Sequence, residues 1–161
     1  MIYWFYKALA RVPLPALYAL ASVVAVLLEH VFRYRRGVVD GNLKRALPAL
    51  PELERRHIRH SFYSQLTDTT VEVIRGSQLP PEFFVDRVAM REPEFLTEVS
   101  NNYQQSVIVM TLHQGNWEWM LQRACAEYPI AGAAVYKRLH SEGADRFTYE
   151  NRARFGTEPV E

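Results

Sequence analysis

"VIVMTLHQGNWEWM", residues 107–120, decides how the chain is read. A short apolar run, "SVIVMTL" over 106–112, stops at His113; a glycine and an asparagine follow, and Glu118 stands where a helix would open. A run of that length, rich in β-branched residues and apolar at successive positions, predicts a parallel strand buried on both faces. "GNWEWMLQRACAEYP" predicts a helix of about three turns closed by Pro129, with the lone Cys125 as a small core residue inside it. "IAGAAVYK" (130–137) then predicts a second buried strand, "DRFTYENRARFG" a helix stopped by Gly156, and "TEPVE" the start of a third strand. Strand–helix–strand–helix–strand with tight connections is the grammar of a parallel α/β sheet.

Upstream, the chain changes character. Val12–Leu28 holds 17 residues without a charge, preceded by the aromatic cluster Tyr3–Tyr6 and followed by Glu29 and then Arg33, Arg35 and Arg36. That length is the lower limit for crossing a bilayer, and aromatic residues at one edge with arginines at the other are the marks of interfacial anchoring. A cleaved signal peptide and a buried core helix are the competing readings. The preferred one is a membrane anchor over residues 1–36, spanning or lying in one leaflet. The rest of the chain (37–161) is then placed in the cytoplasm by the positive-inside rule.

Between these parts, residues 39–47 predict one helix and residues from about Glu52 to Gly76 another, separated by "LPALPEL". On the second helix Leu53, Ile58, Phe62, Leu66, Thr69 and Val73 suggest the core side, and Glu54, Arg55, Arg59 and Asp68 the solvated side. His57 and His60 lie three apart, but with no third ligand evident nearby they read as surface residues, and no metal site is expected. A short strand is expected over 84–90, then a helix from about Pro93 and a turn at "NNYQQ".

Charge supports a membrane more than a nucleic acid. Residues 1–60 carry ten Lys/Arg against four Asp/Glu, a net +6, and residues 61–161 nine against fourteen, a net −5. The basic excess flanks the apolar segment, where it gains from anionic headgroups. There is no zinc-finger spacing or RNA-binding aromatic signature, so no nucleic-acid partner is expected. One cysteine excludes an internal disulfide and a cysteine-based zinc cage.

Sites in parallel sheets lie at the carboxyl ends of strands, where His113 falls. Gly115 or Asn116 can cap the following helix, and a carboxylate in its first turn, Glu118, can fold back to fix the imidazole's tautomer. His113 would serve as general base and Glu118 as the orienting acid, with the reacting hydroxyl supplied by substrate and the helix N-terminus stabilising an oxyanion. The spacing alone is weak: His140 and Asp145 repeat it, in a polar loop.

The particular form "HQGNWE" adds specificity. With "VVDGNLKRALP" and "FYSQLTDTTVEVI" upstream and "VYKRLHSEGADRFTYENRARFG" downstream, the chain resembles the bacterial lipid A biosynthesis (lauroyl/myristoyl) acyltransferases, a branch of the glycerolipid acyltransferases. The resemblance covers essentially the whole sequence. It implies an α/β domain held at the cytoplasmic face of the bacterial inner membrane by its N-terminal helix. It implies acyl transfer from acyl-carrier protein or acyl-CoA to a hydroxyl of a lipid acceptor, without cofactor or metal. His113 and Glu118 would be catalytic; Gly115, Asn116, Trp117, Tyr136, Lys137 and Arg138 would line the substrate site, the last two contacting phosphate. It also implies a longer globular unit than 161 residues, so the chain reads as an N-terminal portion.

Three rival readings fit the same residues. A lysophospholipid or amino-acid-lipid acyltransferase would use the same pair, a membrane-anchored binding protein would make both residues structural, and a metal-dependent hydrolase would need further ligands.

Overall fold

Prolines and left-handed turns punctuate the first half of the chain, and the helices fall between them. The computed structural model describes residues 1–161 and is mostly helical, with one parallel sheet of two strands. Two compact units are present: Val12–Glu72, and Met1–Arg11 together with Val73–Glu161. Helix α1 (Ile2–Leu9) belongs to the second unit, and helix α4 (Glu52–Gly76) gives its last turn to it.

In Val12–Glu72, helix α2 (Leu14–Val26) begins with Pro15 in its first turn, where a missing N–H costs nothing. It continues as a π-helical turn, Leu27–Val31, closed by the Phe32 N–H donating to the Leu27 carbonyl at 2.9 Å. Together Leu14–Val31 makes 18 residues, long and apolar enough to cross a membrane by length and composition. Arg33 and Arg35, both with positive φ (48° and 51°), turn the chain into helix α3 (Arg36–Ala46).

Buried positions recur every four residues on α2 (Leu17, Ala21, Ala25, then Glu29) and on α4 (Arg59, Tyr63, Thr67, Val71). Hydrogen bonds at both ends make this an antiparallel pair: the Tyr18 hydroxyl to Glu72 at 2.7 Å, and Arg59 Nε to Glu29 Oε1 at 3.1 Å. Arg59 also donates to Asp40 on α3 at 2.7 Å, and the Tyr63 hydroxyl to the Tyr34 carbonyl at 2.7 Å.

The face of α4 departs from the expected one, although Glu54 is exposed as expected and Thr69 and Val73 are half-buried. Arg59 is buried, whereas Leu53, Ile58, Phe62 and Leu66 are exposed. Two carboxylates satisfy the guanidinium, which removes the main objection to burying it. The apolar side is left outward, and Phe62 is 43% exposed. On α2 and its π-turn, Leu20, Leu27 and Val31 are exposed as well. At helical spacing these residues and Ile58, Phe62 and Leu66 fall on the same flank of an antiparallel pair, so that flank is continuously apolar.

In the other unit, α1 packs along helix α8 (Glu142–Arg152). Tyr6 and Phe147 rings lie 5.2 Å apart, and Ala10, Ile74 and Phe147 form a small core. Gly143 permits the close approach, since a Cβ there would sit 2.6 Å from Ile2 Cγ2 and 3.1 Å from the Tyr3 nitrogen.

Residues 84–90 do not form the expected strand. Pro80 and Pro81 start helix α5 (Pro81–Arg87) instead, and its Phe84 is fully buried beside Trp119 and Phe155 (centroids 6.0 and 5.8 Å). The aromatic, β-branched "FFV" reads as strand, but its rings are used to pack against helix α7 (Trp117–Glu127). Helix α6 (Phe95–Val99) and a left-handed turn at Asn101, Asn102 and Tyr103 follow as expected.

The sheet pairs β1 (Ala133–Val135) with β2 (Glu158–Val160) in parallel, Ala134 opposite Pro159, with α8 between them in sequence. Residues 106–112 are not a buried strand: they pair with nothing in the sheet, and Ile108 and Met110 are 91% and 93% exposed. A strand apolar on both faces needs hydrogen-bonding neighbours and two covering layers. The sheet here has two strands of three residues each.

Candidate active site

The motif "HQGNWE" is built as a helix start. Asn116 is the N-cap of α7, its Oδ1 accepting from the Trp119 N–H at 3.0 Å, which satisfies one of the orphan donors of the first turn. Gly115 takes φ +63°, a conformation that disfavours a side chain even where, as here, a Cβ would meet nothing within 4 Å. Trp119 fixes the helix from below, edge-on to Phe83 at 5.3 Å, and its Nε1 lies 3.0 Å from where a Cβ on Gly76 would stand.

Glu118 points inward and is 5% exposed. Both of its oxygens are held by Arg152 of α8: Nε lies 3.2 Å from Oε1 and 3.0 Å from Oε2, and the terminal amino group also donates to Oε1. Hydrogen bonding to Glu118, ahead of the opposing effect of burial, raises the pKa of the guanidinium above its ordinary value. Arg152 also lies over the Tyr136 ring, 5.2 Å from its centroid. The helix is anchored further along by Gln122, whose side chain donates to the Asn151 carbonyl at 2.7 Å, and by Arg123, which donates to the Val85 carbonyl of α5 and pairs with Glu127 of its own helix at 2.8 Å.

His113 makes no hydrogen bond to Glu118 or Arg152. Its exposed ring is tilted against Trp117, centroids 4.5 Å apart, and the carboxylate expected to orient it is engaged by Arg152. The structure thus joins Glu118, Arg152 and Tyr136 on one side, and His113 and Trp117 on the other. Lys137 is exposed. Arg138 is paired with Asp145 (3.4 Å), whose other oxygen accepts the Leu139 N–H at 2.8 Å. Asp145 therefore braces the end of the 136–139 segment.

Arg152 is the residue that sequence reasoning missed. Its signal was chemical rather than positional: a carboxylate buried in the first turn of a packed helix needs a countercharge, and Arg152 is the basic residue in the last turn of the next helix. Cys125, half-buried in α7, lies 2.9 Å from the Thr157 hydroxyl.

Such an arrangement offers an imidazole open to solvent before the positive end of an 11-residue helix, and within that helix a buried acid whose charge is compensated. No curated protein and no solved structure matches the chain. The family model for bacterial lipid A biosynthesis acyltransferases matches residues 1–161, and the chain belongs to that family.

Proposed function

We propose that the protein transfers a fatty acyl group from the thioester of acyl-carrier protein or acyl-CoA to a hydroxyl of a lipid A precursor, with His113 as general base. The family match over residues 1–161 carries the reading, and the cap geometry of "HQGNWE" supports it. Imidazole takes the acceptor proton as the oxygen attacks the thioester carbonyl. The tetrahedral oxyanion collapses, the C–S bond breaks, and the leaving thiolate takes the proton back from the imidazolium. The N-terminus of α7 favours the transient negative charge. Glu118 orients the imidazole once the 112–116 segment swings inward, a motion for which Gly115 is suited. Catalytic hydrogen bonds commonly tighten only with substrate bound.

Gly115, Asn116 and Trp117 shape the acyl-transfer end of the site, and Tyr136, Lys137 and Arg138 its phosphate end. Exposed Lys137 meets an anion directly, whereas Arg138 must first leave Asp145.

Membrane attachment rests on Val12–Glu72. Its apolar flank, with Arg33, Arg35 and Arg36 at the end of α2, suits the cytoplasmic face of the inner membrane. Since α4 runs beside α2 and carries charges on its other sides, the pair lies in the plane of the membrane, apolar flank in the acyl region.

The test is an assay of the protein in detergent with acyl-carrier-protein and acyl-CoA thioesters and a lipid A precursor, following thiol release and acylated lipid. Acylation that vanishes in His113→Ala supports the reading. Full activity in that variant sinks the role of the histidine, transfer only to a lysophospholipid moves the acceptor, and no transfer to any lipid favours a binding role.

A further inference from the structure

At the end of the apolar helix, three potential ligands from two elements converge on one point. Glu29 Oε2 lies 2.9 Å from His60 Nδ1 and 3.4 Å from His30 Nε2, and the three ligand atoms all lie within 4.8 Å of one another. We infer that Glu29, His30 and His60 form a site for one divalent transition-metal ion of the zinc class, bridging α4 and the π-turn that follows α2. The inference concerns Val12–Glu72 alone and stands whether or not the chain transfers acyl groups.

The carboxylate-to-imidazole distances fit a small tetrahedral ion. With metal–ligand distances of about 2.0–2.1 Å, neighbouring donors around such an ion stand roughly 3.3 Å apart. The two carboxylate-to-imidazole distances, 2.9 and 3.4 Å, bracket that value. Two imidazoles and one carboxylate suit zinc and its neighbours and not calcium or magnesium, which take oxygen ligands. Three protein ligands leave a fourth position for water.

The surroundings also suit a ligand set. Glu29 is held from behind: its other oxygen accepts from Arg59 Nε at 3.1 Å, and Arg59 is held in turn by Asp40 at 2.7 Å. An outer hydrogen bond of this kind fixes a ligating carboxylate in place. Asp40 is shared in turn with Arg36 at 3.8 Å, so the two carboxylates face two guanidinium groups and the imidazoles meet a carboxylate that is already fixed. Glu29 is 3% exposed while His30 and His60 are 55% and 57% exposed, so the site has a fixed floor and open walls. The π-turn brings consecutive residues Glu29 and His30 to the same point, and such turns are frequent at functional sites. His57, one turn before His60 on α4, is not part of the cluster.

The experiment is a zinc titration of the full chain in detergent against a chromophoric chelator, repeated with cobalt(II) to record its visible bands. Wild type should take up one ion per chain and give the intense bands of tetrahedral cobalt. His30→Gln and His60→Gln should each weaken binding by on the order of a hundredfold, since even an outer partner of a ligand is worth roughly ten- to a hundredfold. His57→Gln should bind as wild type does. Both ligand histidines are exposed, and equal melting of the metal-free proteins checks that folding is kept. No zinc uptake by wild type overturns the inference. So does uptake unchanged in the His30→Gln, His60→Gln double variant, which would assign the ion to His113, His140 or Cys125.

Discussion

The guanidinium of Arg152 holds both carboxylate oxygens of Glu118, so that the acid of "HQGNWE" is tied to the end of α8 rather than to His113. Both side chains are mostly buried. Removing one partner of such a pair leaves the other charge stranded, at a cost of about 3–5 kcal/mol. Arg152→Gln should therefore lower the denaturant midpoint strongly. The double variant with Glu118→Gln should recover much of the loss, because no uncompensated charge remains. Equal midpoints for Arg152→Gln and wild type would show that the carboxylate is solvated in solution.

Gly115 separates strain from contact. Its φ is +63°, and a Cβ would have open space, so Gly115→Ala meets only the backbone penalty, about 1–2 kcal/mol. Stability should fall by that amount or less if the segment relaxes. Acyl transfer should fall further, by on the order of tenfold or more, because the segment that carries His113 is displaced. Thermal melting and initial rates on the same preparation check both; a rate unchanged alongside reduced stability would detach Gly115 from the positioning of His113.

Local chemistry was legible and long-range pairing was not. Asn116 capping α7, Gly156 with φ 84° after α8, and the turn at Asn101–Tyr103 follow from residue type within a few positions. The outward face of α4 was not legible, because whether Arg59 turns inward depends on Glu29, 30 residues away, and on Asp40. Arg152 and Glu118 are 34 residues apart and belong to different helices. "SVIVMTL" reads as a strand by composition, yet a strand exists only where a neighbour accepts its hydrogen bonds, and composition does not supply one. "FFV" reads as strand and is helix for the converse reason: Pro80 and Pro81 set a helix start that outweighs aromatic strand preference.

Acid should loosen α1 from α8. Burial pushes the Glu150 carboxyl up, but hydrogen bonds from Tyr3 (2.7 Å), Lys7 (3.1 Å) and Arg146 (2.9 Å) outweigh it and hold its pKa below the ordinary 4.5. A pKa lowered on folding means stability that is present above the unfolded value and lost as the pH falls through the folded one. Hydrogen exchange in residues 2–9 should therefore rise as the pH drops below about 4.5, once the intrinsic pH dependence of exchange is removed. Glu150→Gln should show faster exchange already at neutral pH and a flatter acid response. An identical acid response in that variant would place the titration elsewhere.

The apolar flank of Val12–Glu72 gives the last prediction. Phe62 and Leu66 turn part of their surface outward on α4 and keep the rest in packing, Phe62 edge-on to the buried Tyr63 at 5.3 Å. If the flank enters the acyl region, each contributes on the order of 1.5–3 kcal/mol of burial to membrane binding when fully immersed. Half-exposed side chains gain about half of that. Phe62→Asp with Leu66→Asp should then weaken partition onto vesicles containing anionic lipid by roughly a hundredfold or more, while the protein in detergent stays folded at a lowered melting temperature. Substituting Glu54 and Arg56, which are exposed on the same helix, should leave partition within a few fold. If instead α2 alone enters the bilayer as a spanning helix, the α4 variants should stay membrane-bound and resist extraction by carbonate, because the residues that hold them would be on α2.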